Sequence, residues 1–408
     1  MLELKSNLPE YDIGCLPPIG YVPELMHAWS LSRTGQGLAP TTMPTWVPGH
    51  GEVLVLMMAA GMNYNSVWAD LGEPVSVLDF HKEPYHVVGS DGAGVVWAVG
   101  EGVSQWQPGD EVIMHCNRVD GTDIHCNGGD PLLSESQKIW GYETPDGAFA
   151  QFSRVQQQQL LPKPTHLSWP EAACFTLTLA TAYRMLFGYA PHVLKPGQNV
   201  LVWGGTGGLG VSAIQLCNTV GANAIAVVSS DERAEAALQI GAVGVLNRKN
   251  YNCWGELPDP KSDEYASWMN EVRRFGKDIW KITGKQNVDM VLEHPGQQTF
   301  AVSTYLVKRG GMVVFCGGTS GFKLTFDARF AWMHQKRVQG SHFATLKDVS
   351  ECVRLVEEHK IEPLVAATYN WQDMREALDD IRLNRHDVGN IAIRINDVVT
   401  SPNTVQLL

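Results

Sequence analysis

The sequence predicts an α/β chain in which a doubly wound parallel sheet follows a smaller, barrel-like β domain. Two observations carry this. From Val200 the chain alternates short apolar runs with helical patterns, the order of a parallel sheet covered on both faces. Between Glu52 and Val112 the apolar runs are short and broken by Gly and Pro turns, as in a small closed sheet. A length of 408 residues accommodates two domains, and 44% hydrophobic with 18% charged residues is an ordinary globular composition.

Taken in order, residues 1–50 are rich in Pro and Gly and are expected to wrap over the surface. Val53-Leu-Val-Leu-Met57 and Gly94-Val-Val-Trp-Ala-Val99 read as strands, with turns at Gly100-Glu-Gly and Gln107-Pro-Gly-Asp110. Cys116 to Gln137 reads as a polar loop. Ala148-Phe-Ala-Gln-Phe152 and Leu160-Leu-Pro-Lys-Pro164 read as further strands. Trp169-Pro-Glu-Ala-Ala starts a helix expected to run toward Met185. The parallel sheet is assigned to Val200–Trp203, Ala224–Val228, Gly244–Leu246, Asp289–Leu292 and Met312–Phe315, and the β-like tail at Leu364-Val-Ala-Ala-Thr and Asn390–Ile395 is expected to rejoin the first domain.

The most informative stretch is Val200–Gly210. An apolar run meets a glycine-rich turn, and Val211-Ser-Ala-Ile-Gln-Leu216 continues with helical spacing. Gly205, Gly207 and Gly210 fit G-x-G-x-x-G, so Thr206, Gly208 and Leu209 complete a turn whose N–H groups face a pyrophosphate at a helix start. A glycine pattern alone is weak; here the flanking strand and helix supply its context. After the next strand a free ribose 2′-OH is usually met by an Asp or Glu. This chain has Ser229, Ser230 and Arg233, with Arg248 after the following strand: hydroxyls and guanidinia suited to a 2′-phosphate, hence NADPH. Asp231 is the contrary observation. The same Ser-Ser-Asp cluster also reads as a helix N-cap, and both readings are compatible.

A net charge of −12 speaks against general binding to nucleic acid or a membrane surface. No apolar run approaches the roughly 18 residues of a membrane helix, the start lacks a leader pattern, and the eight Cys form no C-x-x-C pair; the expectation is a reduced, cytoplasmic protein.

A barrel-like domain ahead of a dinucleotide domain is the layout of medium-chain dehydrogenases and reductases, many of which use zinc. Where their alcohol dehydrogenases carry a Cys and a Gly-His-Glu, this chain reads Gly61-Met-Asn-Tyr-Asn65 and Gly89-Ser-Asp-Gly-Ala93, and neither offers the ligand. His115, Cys116, His125 and Cys126 are read as ordinary loop residues, so no metal is expected. Without zinc the chemistry points to reduction of an activated C=C or a quinone.

Asn63-Tyr-Asn-Ser-Val-Trp68, Tyr85-His-Val-Val-Gly-Ser-Asp91, Cys126-Asn-Gly-Gly-Asp130, Ile139-Trp-Gly-Tyr-Glu-Thr144, Phe275-Gly-Lys277, Glu293-His-Pro-Gly296 and Gly340-Ser-His-Phe-Ala344 closely resemble the crotonyl-CoA carboxylase/reductases over nearly the whole length. The Trp-Gly-aromatic-Glu-Thr and Gly-Ser-His-Phe segments are far more specific than the glycine loop. The resemblance implies a GroES-like catalytic domain at 1–190, rejoined by 345–408, and an NADPH-binding Rossmann domain at 191–344. It implies NADPH-dependent reduction of an enoyl-CoA with addition of CO2 to the α-carbon, crotonyl-CoA giving ethylmalonyl-CoA, in a homo-oligomer that is tetrameric among relatives. The family's CO2-binding set falls on Asn63, Tyr142, Glu143 and His342; some members have Phe at the Tyr142 position. The adenine and phosphate end of CoA falls to Arg329 and Tyr305, with Arg273 or Lys277 nearby.

The chemistry gives these residue types a reason. Hydride delivery to the β-carbon leaves an enolate, which takes the nearest electrophile. A carboxylase must keep acids away from the α-carbon while holding a small neutral molecule by aimed, weak contacts. An Asn amide donates to one CO2 oxygen, and a Glu–His pair can hold a water that donates to the other. Taken singly, Asn63 could serve a turn, Glu143 a surface cation, and His342 a buried carbonyl. The 13 Trp, with Trp68, Trp140 and Trp332 among them, are expected to pack. The alternatives are an NADPH-dependent enoyl-CoA or quinone reductase that protonates its enolate, and a nucleotide-binding structural protein like the crystallins related to quinone reductases.

Overall fold

The chain carries eighteen strands and ten helices among its described residues, 8–35 and 37–397 of a computed structural model. In order these are β1 (Leu25–Ser32), β2 (Ala39–Pro44), β3 (Glu52–Met62), α1 (Tyr64–Leu71), β4 (Tyr85–Val87), β5 (Gly92–Val99), β6 (Glu111–Met114), β7 (Asn117–Arg118), β8 (Lys138–Ile139), β9 (Phe152–Gln156), β10 (Leu160–Pro162), α2 (Trp169–Ala173) and α3 (Thr176–Phe187). Then follow β11 (Asn199–Trp203), α4 (Gly208–Thr219), β12 (Asn223–Val228), α5 (Asp231–Ile240), β13 (Gly244–Asn247), α6 (Asp263–Thr283), β14 (Val288–Glu293), α7 (Phe300–Leu306), β15 (Val307–Phe315), α8 (Ala328–Met333), β16 (Arg337–Gly340) and α9 (Leu346–Glu357). Last come β17 (Val365–Tyr369), α10 (Met374–Arg382) and β18 (Asn390–Arg394).

By compactness the chain divides into residues 1–177 with 365–408, and residues 178–364. The sequence reading placed these joins at 190/191 and 344/345. Met1–Asn7, read above for a leader, and the far end of the tail, 398–408, lie outside the described residues.

The first unit is built on β3, eleven residues with nine fully buried. It pairs antiparallel with β5, β9 and β18, and the sheet runs β10-β6-β5-β3-β18-β17. The tail therefore returns to β character, and its last strand pairs with β3. Residues 1–50 are not mere wrapping: β1 forms a second sheet, β2-β1-β4, and buries Met26, Ala28 and Leu31. The alternation in Leu25–Ser32 carried that signal, masked by the Pro and Gly around it. The strand expected at Ala148 begins only at Phe152, with a single bridge between Ala150 and Ala28 before it.

The second unit holds a six-stranded parallel sheet in the order β13-β12-β11-β14-β15-β16. This is the doubly wound order, with its switch point between β11 and β14. The sequence reading missed β16, whose alternating Arg337-Val-Gln-Gly340 lies at the sheet edge. The helix expected from Trp169 toward Met185 is two helices. Ser168 and Glu171 close a capping box that starts α2, which stops at Cys174 after five residues. Beneath α6 an apolar cluster joins Trp203, Trp268, Phe275, Phe300 and Leu306. The expectation that every Trp packs fails at Trp332, which is 69% exposed on α8.

Candidate functional site

The glycine turn lies where β11 hands the chain to α4, at the switch point. Gly204 takes a left-handed φ of +58° and turns the chain out of the strand. A Cβ on Gly205 would stand 2.6 Å from Ala226 Cβ, and one on Gly210 would stand 2.2 Å from Gly204 O; both glycines let helix and strand close up. Gly207 is different. Its absent Cβ would meet only Gly204 O, at 3.6 Å, and as N-cap of α4 it offers no side chain to the helix start. The first-turn N–H groups of Gly208, Leu209 and Gly210 thus have no intrahelical partner, a cradle for an anion.

The adenosine end fits a 2′-phosphate. Arg233 donates from Nη1 to Thr206 Oγ1 at 2.9 Å, which holds its guanidinium against the glycine turn. Ser230 accepts from Arg233 N–H and caps α5, so the N-cap reading of that cluster is correct for this residue. Asp231, the contrary observation, accepts from the Asn247 side chain at 2.9 Å. Ser229 is half-buried beside it. Arg248 donates to Gln298 Oε1 at 3.3 Å. These residues suit NADPH.

Across the switch point β14 ends in Glu293-His294. Glu293 is fully buried and accepts from Gly296 N–H (3.0 Å), Thr299 Oγ1 (2.7 Å) and Ser303 Oγ, while Trp203 Nε1 donates to Ser303 at 2.8 Å. Burial pushes its carboxyl up to about 7 despite these donors. His294 donates from Nε2 to Trp203 O at 3.1 Å, tying the two strand ends together. Burial pushes its imidazole down to about 4, so it is neutral.

In the first unit Asn63 is the N-cap of α1 and is 8% exposed. Its side chain makes no cap bond and turns to Asp91, Nδ2 to Oδ2 at 3.4 Å. Trp140, fully buried, donates to Asp146 O at 2.6 Å and anchors the loop that follows. Gly141, at φ +71°, comes so close to Gly89 that a Cβ would stand 1.9 Å from its carbonyl oxygen. His81 and His86 stack behind this loop, Nε2 to Nδ1 at 2.9 Å, and His86 Nε2 reaches Gly141 O at 3.3 Å. The carbonyl needs a proton on His86 Nε2, so His86 Nδ1 accepts from His81 Nε2–H. Glu143 accepts from Ile139 N–H at 2.7 Å, a turn of its own loop rather than a surface cation. Tyr142 donates to Glu73 O at 3.0 Å, so the hydroxyl absent from Phe-bearing relatives finds a partner just beyond α1.

His342 belongs to the second unit and is exposed, which rules out the buried-carbonyl alternative. Its neighbours are held firmly. Ser341 N–H donates to Phe315 O at 2.8 Å, Tyr189 OH donates to Ser341 Oγ at 2.9 Å, and Phe343 adopts a left-handed φ of +47°. Arg184 lies over the Tyr189 ring at 5.3 Å and pairs with Asp348 at 3.6 Å. Tyr189 was invisible to sequence reasoning, because 152 residues separate it from Ser341. Asp91 had been quoted within a motif without being assigned a role.

Of the residues expected to meet CoA, Tyr305 and Arg329 come to one edge of the second unit. Tyr305 packs on Trp268 (6.3 Å) and Phe330 (5.0 Å), the residue after Arg329. Arg329 forks onto Asp327, Nη2 to Oδ2 at 2.6 Å, and this pairing holds the Asp327 carboxyl below its usual range. Arg273 and Lys277 are exposed, one turn apart on α6. Among the described residues no three His, Cys, Asp or Glu side chains gather as a metal-binding group, and no helix is long and apolar enough to cross a membrane.

The chain is similar to known proteins over nearly its whole length. The alcohol dehydrogenase GroES-like domain family matches residues 49–165 and the zinc-binding dehydrogenase family residues 208–358. A crotonyl-CoA carboxylase/reductase of Cereibacter sphaeroides is 56% identical over 99% of this chain and 96% of its own. A solved crotonyl-CoA carboxylase/reductase superposes with a TM-score of 0.91 at 54% identity, covering 95% of this chain and 92% of the other. The 2-octenoyl-CoA carboxylase reductase CinF, solved with NADP and 2-octenoyl-CoA, gives 0.84 at 35% identity, covering 92% and 89%. With identity running through both units and both joins, this chain belongs to the crotonyl-CoA carboxylase/reductase family.

Proposed function

We infer that this protein reduces a short-chain enoyl-CoA with NADPH and carboxylates the α-carbon, converting crotonyl-CoA, CO2 and NADPH to ethylmalonyl-CoA. The observation that carries this is 56% identity over nearly the full chain to a crotonyl-CoA carboxylase/reductase. When bound, NADPH supplies the hydride that goes to the β-carbon.

The chain's own groups do the rest. The first-turn N–H groups of Gly208–Gly210 hold the pyrophosphate, and Arg233, held by Thr206, meets the 2′-phosphate with Ser229 and Ser230; Arg248 adds a second guanidinium. Arg329 exchanges its Asp327 partner for a CoA phosphate, Tyr305 offers a ring edge for adenine, and Arg273 and Lys277 add positive charge. At the α-carbon Asn63 donates an amide N–H to one CO2 oxygen. Glu143 and His342 hold a water for the other, and the Tyr142 ring walls the space. None of these is a strong acid aimed at the enolate, so carboxylation competes well with protonation.

The protein is taken to work as a homo-oligomer, a tetramer on the family resemblance, in the cytoplasm; eight free thiols suit a reducing compartment. Its domains are taken as 1–190 with 345–408 for the substrate and 191–344 for NADPH. The deciding experiment incubates the purified protein with crotonyl-CoA and NADPH, with and without 13C-bicarbonate, and identifies the CoA product by mass. Labelled ethylmalonyl-CoA is expected. Butyryl-CoA alone under saturating bicarbonate would make the protein a plain reductase.

A further inference from the structure

We propose that Asp91 is a positioning residue for carboxylation: it holds the Asn63 carboxamide in the one orientation that presents an N–H to CO2. This rests on the reading of Asn63 as a CO2-binding residue and deepens it.

The first observation is what Asn63 does not do. An Asn at a helix N-cap normally turns its side-chain oxygen onto the N–H groups of the first turn. Asn63 leaves the α1 start uncapped by its side chain, and the turn is closed instead by Ser66 N–H donating to Asn63 O at 2.9 Å. Its amide points at Asp91. Of the two Nδ2 hydrogens one goes to Asp91 Oδ2; the other, and the Oδ1 lone pairs, face elsewhere.

The second is the setting of Asp91. It is fully buried, immediately ahead of β5. Oδ2 receives both Asn63 Nδ2 (3.4 Å) and the N–H of Leu177 in the first turn of α3 (3.4 Å), while Oδ1 makes no bond of good geometry, the Thr176 hydroxyl and the Gly92 N–H being the other polar groups beside the carboxyl. The site is built tightly around it. A Cβ on Gly61 would stand 2.4 Å from Ala173 O and 3.1 Å from Asp91 Cβ, so only glycine lets β3 pass beneath the carboxyl and reach Asn63. Burial pushes the Asp91 carboxyl well above its ordinary range. A neutral acid has a carbonyl oxygen for the two donors and an O–H on the other atom. That asymmetry matters. A freely rotating carboxamide would offer CO2 its oxygen as readily as its N–H, and oxygen against oxygen repels. With Oδ2 as acceptor, the Asn63 nitrogen is fixed on one side.

The test compares three variants by the ratio of ethylmalonyl-CoA to butyryl-CoA formed from crotonyl-CoA and NADPH at subsaturating bicarbonate. Asp91→Ala is expected to lower that ratio about tenfold, the worth of one aimed hydrogen bond. Asp91→Asn reproduces the neutral acid, with a carbonyl oxygen toward Asn63 and a donor on the other atom, and is expected to restore the ratio. Asn63→Ala is the reference and should lower the ratio at least as far. A helix-start role for Asp91 alone would weaken folding and total turnover without moving the ratio. Should Asp91→Ala fail to fold, Asp91→Ser keeps a polar atom near α3, falls short of Asn63, and is expected to show the same shift.

If Asn63→Ala moves the ratio and Asp91→Ala or Asp91→Ser does not, the positioning role is wrong and the CO2 reading of Asn63 stands. If Asn63→Ala leaves the ratio alone, the reading beneath the proposal has failed, and the proposal with it. If Asp91→Asn loses butyryl-CoA formation in the absence of CO2, Asp91 is a proton donor to the enolate and the proposal is overturned.

Discussion

At the scale of single residues the site is a set of small commitments of hydrogen bonds. Arg233 is held by Thr206 against the glycine turn. Arg233→Ala should raise KM for NADPH about ten- to a hundredfold and leave KM for NADH nearly unchanged, since a charge-assisted pair to a phosphate is worth about 1.5–3 kcal/mol. Equal losses with both nucleotides would place the 2′-phosphate elsewhere. On the proposed reading the Tyr142 hydroxyl, half-buried and donating to the Glu73 carbonyl, takes no part in holding CO2. Tyr142→Phe should keep the product ratio and cost about 0.5–1.5 kcal/mol in urea unfolding. The residue types proposed for the site come from the motifs. Which atoms meet was not legible there: Asp91 lies 28 residues from Asn63, and only the pairing of β3 with β5 brings them within reach.

At the scale of elements the proposed function draws on two devices: the strand–turn–helix of β11 and α4, and the held segment around His342. Gly210→Ala puts a methyl 2.2 Å from Gly204 O and 2.7 Å from Gly205 Cα, both backbone. The turn must open, and NADPH binding measured by fluorescence titration should fall at least tenfold. Tyr189→Phe removes the hydroxyl that pins Ser341. If this pin aims His342, the variant should form less ethylmalonyl-CoA at low bicarbonate while hydride transfer, followed by NADPH absorbance without CO2, changes less than twofold. The glycine turn was readable because strand, turn and helix are contiguous and each has its own period. The break between α2 and α3 was not: Trp169–Phe187 carries no Gly or internal Pro to stop a helix at Cys174, and the stop there is a tertiary event. There Asn390 Nδ2 donates to Cys174 O at 2.5 Å, and Leu177 N–H donates to Asp91.

At the scale of the whole molecule, buried ionisable groups set the pH dependence of stability. His86 and His115 are pushed down to about 3 and His294 to about 4, all by burial first. Groups whose folded value is lowered contribute stability above 6.5 that is lost as pH falls toward 3–4. Glu293, pushed up to about 7, and Asp91, also raised, act oppositely: their contribution is full below the ordinary carboxyl value and is lost as pH rises through the folded value. Between pH 6.5 and 4.5 the two sets nearly offset. Below 4.5 the histidines are joined by carboxylates held low by their partners, Asp327 by Arg329 and Asp278 by Lys281 among them. Stability from urea unfolding should therefore peak near pH 6.5–7, fall shallowly to 4.5 and steeply below, by roughly 1.4 kcal/mol per pH unit for each uncompensated proton. His86→Gln should make the steep slope shallower; an unchanged slope would assign it to other groups.

What the sequence alone determined is whatever is written locally: strand and helix periods, a glycine turn joining them, the absence of zinc-ligand residue types at two motifs, and family segments specific enough to name a chemistry. Tertiary structure decided what depends on chain closure. It made Leu25–Ser32 and Ala39–Pro44, within a Pro- and Gly-rich stretch, part of a second sheet because β1 finds β2 and β4 as partners. It made β16 a strand because β15 offers an edge, and it aimed Asn63 away from its own helix because a buried carboxyl waits there. The reason is common to all three. A period or a turn is a property of neighbours in the chain, whereas a hydrogen bond between distant residues exists only after burial has chosen which polar groups must satisfy one another.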